Sequence, residues 1–240
     1  MSSYIYKRIL LKVTGEALKG ERDFGFDPES VSALADTIAA VHAEGLELGI
    51  VLGAGNLWRG AVGKKVGMDP VRADYMGMLG TVMNALILKD AFSQRGISCE
   101  VQSAINMFPV AEPFDHEKAI RYLEEGRIVI FAGGTGHPFF TTDTAGALRA
   151  IEIGAEAFFK ATKVNGIYSD DPVKNINATR YEEISYDEAL YQNLKIMDST
   201  AFSICRDNNL PIVVFNFSDR KNLEKVLSGD TSLATLVKNN

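Results

Sequence analysis

The chain has 240 residues, 46% hydrophobic and 23% charged, which excludes disordered, collagen-like and coiled-coil classes. A net charge of −6 excludes a global basic field for nucleic acid or an anionic membrane. An anionic ligand would need a local pocket of Lys, Arg and backbone amides.

Two cysteines, Cys99 and Cys205, are too few for a disulfide framework or a four-thiolate zinc site and are expected as buried, reduced thiols. No apolar run approaches the roughly 20 residues that span a bilayer. The N-terminal segment lacks the long apolar region of a signal peptide. A cytoplasmic protein with no nucleic-acid or membrane partner is expected.

Arg8 to Val13 reads as a short strand ending at Thr14-Gly15. From Pro28 the apolar period becomes helical (Val31, Leu34, Ala35, Ile38, Ala39, His42) and stops at Gly45. Glu47 to Leu52 is a buried strand that runs into Gly53-Ala54-Gly55-Asn56, followed by a Gly- and Lys-bearing loop. Leu79, Val82, Met83, Leu86, Ile87 and Ala91 mark a long helix ending near Gly96. A strand near Cys99 to Gln102, a helix near Asp115 to Glu125 and a strand Arg127 to Ala132 lead to Gly133-Gly134-Thr135-Gly136. A helix over about Asp143 to Ile153 and a strand Ala157 to Ala161 come next, then an irregular loop from Gly166 to Tyr181. The chain closes with a helix near Asp198 to Asn208, a strand at Pro211 to Phe215 and a helix near Asp219 to Leu227. Alternating strands and helices predict an α/β three-layer sandwich around a mainly parallel sheet, in one domain over residues 1–240.

Three strands end in small-residue turns, where open α/β sheets bind ligands and glycines let amides approach a phosphate. A strand can also simply stop at a glycine, but three such turns in one sheet favour a phosphate site. Known phosphate motifs do not fit. Gly60-Ala61-Val62-Gly63-Lys64-Lys65 lacks the spacing and hydroxyl of a P-loop, and Gly53-Ala54-Gly55 lacks the third glycine of a dinucleotide fingerprint. Lys12 ends an apolar strand, where an unpaired ammonium would be costly, and Arg59 follows the second turn with a fork suited to phosphate. Lys160 and Lys163 flank Thr162, and at least one is expected to face the same crevice. Asp74, Asp143, Asp171 and Asp198 lie near loop–helix junctions, where capping is the competing role. His42, His116 and His137 have no ligand spacing, so a metal hydrolase or triad gains no support.

Several blocks together carry a resemblance. Tyr6 to Leu18, Gly53 to Gly60, Asp74 to Leu79, Gly134 to Asp143, Lys160 to Tyr168 through Asp171-Pro172, and Lys195 to Asp198 occur in the order found in bacterial UMP kinases, of the amino acid kinase superfamily. The chain resembles that family over essentially its whole length. It departs at Thr14 (usually Ser), Ala54 (usually Gly), His137 (usually Asn) and Asn165 (usually Asp).

The resemblance implies a sheet of about eight strands, a homohexamer, and transfer from ATP to UMP with Mg²⁺ in pyrimidine nucleotide biosynthesis. It implies ATP contacts at Lys12, Val13, Thr14, Gly15, Gly55, Arg59, Thr162, Asn165, Tyr168 and Asp171. UMP contacts would come from Ala54, Asp74, Thr135, Gly136, His137, Pro138, Phe139, Phe140, Thr141 and Thr142. The part up to about residue 150 would serve mainly UMP, phosphate and oligomer contacts, and the remainder mainly ATP. Lys12, Lys163, Asp143 and Asp198 would be catalytic, with no direct protein ligand to the metal; whether Asp143 or Asp198 orients a lysine or the metal's water shell stays open. The loop Gly20, Glu21, Arg22, Asp23, Phe24, Gly25 resembles a segment linked to GTP activation and UTP inhibition. Alternatives are a carbamate, aspartate or acetylglutamate kinase, which the Pro138–Thr142 block opposes, or a non-catalytic nucleotide sensor, which Lys12 and Asp143 oppose.

Overall fold

A computed structural model describes residues 4–240, apart from the side chains of residues 61, 64 and 220. The first three residues of the N-terminal segment and the Lys64 side chain lie outside the described residues.

Among the described residues, nine strands form one sheet: β1 (Arg8–Val13), β2 (Glu47–Leu52), β3 (Cys99–Ser103), β4 (Glu112–Pro113), β5 (Ile128–Ala132), β6 (Ala157–Thr162), β7 (Glu183–Ser185), β8 (Ile212–Asn216) and β9 (Ala234–Lys238), in the order β4-β3-β5-β2-β1-β6-β8-β9-β7. Every pairing is parallel except β8 with β9. The sequence reading missed β4, β7 and β9. Two of these have two or three residues, too few for a two-residue period to stand out.

The helices are α1 (Pro28–Ala43), α2 (Gly60–Lys65), α3 (Pro70–Ser93), α4 (His116–Glu124), α5 (Thr142–Glu152), α6 (Tyr186–Tyr191), α7 (Ser199–Asp207) and α8 (Arg220–Leu227). One apolar cluster packs α1, α3 and α8 on one sheet face; a second packs α4, α5, α6 and α7 on the other. Central strands are buried on both faces, as parallel sheets require. Strand alternation sorts β1 accordingly: Ile9, Leu11 and Val13 belong to the first cluster and Leu10 to the second. Lys12 follows the parity of Leu10.

Two boundaries differ from the sequence reading in ways that matter. Residues 60–65 form α2 rather than loop. Helix α3 begins at Pro70, capped by Asp69, whose side chain accepts from Arg72 N. Asp74 is therefore inside a helix and is not its cap. The helix also carries apolar residues on two sides. Val82, Ala85 and Leu88 are buried, whereas Tyr75, Met76, Leu79, Met83 and Leu86 remain exposed.

Cys99 and Cys205 are buried and form no disulfide, and burial pushes both thiols up to about 12. Among the described residues, no helix is long and apolar enough to cross a membrane.

Candidate active site

Lys12 on β1 and Lys160 on β6 are register partners on adjacent parallel strands, so their side chains leave the sheet on the same face. Helix α5 covers that face, and its first turn carries Asp143. The Asp143 carboxylate receives both ammonium groups: Lys12 Nζ lies 3.0 Å from Oδ1, and Lys160 Nζ donates to Oδ2 at 2.6 Å. The first is a charge contact rather than a well-directed hydrogen bond. All three side chains keep only 13–14% exposure.

Burial alone would raise the Asp143 pKa, but Lys12 and Lys160 outweigh it and hold the carboxyl below its usual value. The positive N-terminal end of α5 acts in the same direction. Lys160 goes down, because desolvation and the nearby Lys12 charge outweigh Asp143. Its second bond, to Ile196 O at 2.7 Å, fixes its aim.

Asp198 serves a second purpose beside this triple. It caps α7 through Ala201 N at 2.9 Å, as the capping alternative anticipates. It also accepts from the hydroxyls of Thr141 (2.5 Å) and Thr144 (2.9 Å). Thr141 is in turn the cap of α5, accepting from Asp143 N at 3.0 Å. The starts of α5 and α7 are thus tied together around Asp143.

Two cavities flank the triple. One, of about 180 Å³, is lined by Ala54, Trp58, Asp74, Thr135, His137 and Phe140, with Thr141 and Thr142 leading directly to Asp143. The other, of about 670 Å³, is lined by Thr162, Tyr168, Asp171, Lys195 and Ile196, the residue whose carbonyl holds Lys160. The charged triple is connected to both walls, through Thr142, the chain neighbour of Asp143, and through Ile196 O, which accepts from Lys160.

In the smaller cavity, Asp74 Oδ2 accepts from Phe139 N at 2.8 Å, pinning the loop at a non-glycine residue with φ of 69°. Gly133 N donates to Thr81 Oγ1 at 2.8 Å, and Thr135 Oγ1 bonds both the N–H and the C=O of His137. Gly136 adopts φ of 80°, where a side chain would be strained. Pro138 belongs to the same turn.

In the larger cavity, Thr162 Oγ1 is committed to backbone, donating toward Val164 O and Phe215 O. Asp171 accepts from Val173 N and pairs with Lys174 at 3.3 Å. Asn165 is not on the wall: its Oδ1 accepts from Asn216 at 2.6 Å.

The first two glycine turns meet beside Lys12. Val13 is fully buried, and Thr14 caps a short 3-10 turn, accepting from Glu16 N at 3.2 Å. A Cβ on Gly15 would come within 2.4 Å of Gly53 O, so only glycine fits there. The Cβ of a residue at 55 would touch Glu16 at ordinary distance. Glu16 gathers two cations, Arg59 directly and Lys163 at 3.5 Å. Lys163 is 80% exposed; of the two lysines flanking Thr162, Lys160 is the one fixed against Asp143. The loop Gly20 to Gly25 lies beyond this turn, with Glu21, Asp23 and Phe24 exposed and Arg22 3.6 Å from Asp27.

Sequence reasoning did not single out Glu16, Trp58, Thr81 or Asn84. A polar Asn84 among the buried apolar residues Val82, Ala85 and Leu88 of α3 is the available signal.

Residues 7–216 match the amino acid kinase family. The fold is similar to the UMP kinase from Bacillus anthracis, with a TM-score of 0.94 and 35% identity over 98% of this chain and 97% of that one. It is similar to the UMP kinase from Ureaplasma parvum (TM-score 0.92, 35% identity, 97% and 99% covered). Uridylate kinase from Archaeoglobus fulgidus is more distant, at a TM-score of 0.73 and 25% identity over 95% and 99%. With its parallel sheet, its glycine turns and its lysine–aspartate–lysine cluster, the chain belongs to the amino acid kinase family.

Proposed function

We propose that the protein transfers the γ-phosphoryl group of ATP to UMP, giving ADP and UDP, in pyrimidine nucleotide synthesis. The observation that carries this reading is the Lys12–Asp143–Lys160 triple, joined through Thr142 to a smaller cavity that we assign to the acceptor and through Ile196 to a larger one that we assign to the adenosine of ATP. By this reading residues up to about 150 serve mainly the acceptor and those beyond mainly ATP.

The nucleophile is an oxygen of the UMP phosphate, whose second pKa is about 6. It is ionised at neutral pH and needs no general base. Transfer then requires alignment and charge neutralisation. Lys12 and Lys160, aimed by Asp143, meet the migrating phosphoryl, and the Thr14-Gly15 and Ala54-Gly55 turn amides bind its oxygens. Arg59 and Lys163 reach the ATP phosphates from the open side, leaving Glu16 as they do so. Attack is direct and in line, with no phosphoenzyme. Asp198 is a positioning residue that sets the start of α5 through Thr141 and Thr144.

Mg²⁺ would arrive on the ATP phosphates and retain much of its water, supplying further charge neutralisation. The donor set fits that mode: the Asp143 and Asp198 oxygens already face ammonium, hydroxyl and amide groups. A homohexamer is part of the proposal, supported by the exposed apolar stripe on α3. So are activation by GTP and inhibition by UTP, which rest on the resemblance of the Gly20–Gly25 loop.

A coupled ADP-release assay over UMP, CMP, AMP, aspartate and carbamate tests the reading. Turnover with UMP well above the rest is expected; preference for aspartate or carbamate would replace it with a carboxylate or carbamate kinase. Turnover with none would leave a nucleotide sensor.

A further inference from the structure

Asn84, in the middle of α3, and Asn56, after the second glycine turn, are 0% and 1% exposed. Their amides form a reciprocal pair, Asn84 Nδ2 donating to Asn56 Oδ1 at 2.8 Å and Asn56 Nδ2 donating to Asn84 Oδ1 at 3.0 Å. Each nitrogen has one hydrogen left, and each gives it to a backbone carbonyl. Asn84 donates to Gly53 O at 2.7 Å, and Asn56 to Gly25 O at 3.0 Å. Gly25 N returns a bond to Asn56 O at 2.8 Å. All donors of the pair are used, in an interior where leaving one unmade is costly.

The pair touches the first two glycine turns and the 20–25 loop from its place on α3. A Cβ on Gly15 would meet Asn56 Oδ1 at 2.5 Å and Asn84 Nδ2 at 3.0 Å, so the first glycine turn rests directly on the amides. Gly53 begins the second turn, and Gly25 ends the loop that follows the 3-10 turn. Helix α3 also carries Asp74, Met78 and Thr81 into the acceptor cavity. One rigid amide pair therefore sets the distance between the acceptor helix, both phosphate-facing turns and the 20–25 loop.

We propose that Asn56 and Asn84 are positioning residues that hold the two glycine turns in register with the acceptor helix and couple the 20–25 loop to that register. This rests on the phosphoryl-transfer reading above. A purely structural pair would support stability and nothing else. A positioning pair also governs kcat, because the turn amides must meet the phosphoryl in flight.

Two variants separate these roles. Asn56→Asp keeps the acceptor facing Asn84 but removes both donated bonds. The double variant Asn56→Leu/Asn84→Leu removes the pair without burying a charge, at the cost of leaving Gly53 O and Gly25 O without their side-chain donors. Should the aspartate variant fail to fold, the double variant decides. Each is assayed as the full chain with UMP and Mg²⁺-ATP, beside melting and limited trypsin digestion.

The expected result is a kcat about a hundredfold lower with the UMP KM changed less than about threefold, as for misplaced reacting groups. Cleavage after Arg22 should be roughly tenfold faster as the loop loses its local protection. A folded variant with wild-type kcat, whether or not its loop opens, overturns the proposal. So does a loss of kcat that recovers fully on cooling below the melting transition. A wild-type protein that leaves UMP unphosphorylated would sink the kinase reading instead, while the trypsin comparison would still report on the pinning of the loop.

Discussion

Lys12 and Lys160 stand opposite each other on neighbouring parallel strands, and the Asp143 carboxylate is held between their ammonium groups. Like charges directly opposite destabilise a sheet. Asp143 offsets that conflict and fixes both cations side by side.

Removing one cation tests the pair. Lys12→Ala should remain folded, because Asp143 keeps Lys160. Turnover should fall by about two to three orders of magnitude, the scale for one lost charge donor to a transition state. Wild-type kcat in this variant would remove Lys12 from the mechanism.

Asp143→Asn leaves two buried ammonium groups facing each other. Stability at neutral pH should drop by about 3 kcal/mol, the low end for breaking a buried ion pair. The folded-state pKa lies below the usual 3.8, so the carboxylate's contribution is present above that value and is lost as the pH falls through the folded one. Urea titrations should therefore show a gap between wild type and variant that is constant near pH 7 and narrows below about pH 4. A gap independent of pH would mean that the charge is not what stabilises.

Asp74 accepts from Phe139 N through Oδ2, and Asp69 already caps α3. A sugar hydroxyl therefore has Oδ1 to find. UMP should beat dUMP by at least about tenfold in kcat/KM, and Asp74→Ala should erase most of that ratio. Loss of one backbone bond predicts a stability cost of only about 1 kcal/mol. An intact UMP-to-dUMP ratio would confine Asp74 to holding the loop.

Glu16 competes with ATP for Arg59 and Lys163 if those cations bind phosphate. Both pairs are solvent-exposed on the cationic side, so Glu16→Gln should change stability by less than about 1 kcal/mol. The KM for ATP should fall in the variant. A rise would mean that Glu16 presents the cations rather than withholding them.

The stripe of Tyr75, Met76, Leu79, Met83 and Leu86 predicts how copies meet. If the protein assembles as the proposed hexamer through this stripe, Leu79→Glu with Met83→Glu should shift sedimentation to smaller species without loss of helix. An unchanged hexamer would put the contact elsewhere.

The sequence made the alternating architecture legible because helix and strand periods differ sharply over long segments. Lys12, the glycine turns and the 134–143 block were legible as candidates for the same reason that they matter: each breaks an apolar run. Lys160 was harder to separate from Lys163. Strand parity decides it, since Lys160 shares the face of Phe158 while Lys163 lies past the strand end. Asp74 was misplaced at a helix start because Pro70, the true first residue, precedes the clear apolar period. Asn84 stands out as an amide on the buried side of α3, but its pairing with Asn56 has no local signature. It exists only once α3 has docked on the sheet, 28 residues away in sequence.

Trp58 is the one tryptophan in the chain, and its indole donates to Ala73 O at 2.8 Å while lining the smaller cavity. The molecule thus contains a single optical reporter next to Asp74. Its emission can be read without label, coupled enzyme or turnover, and with ATP absent. A titration with acceptor alone, followed by a second with ATP already bound, would give the order in which the two cavities fill.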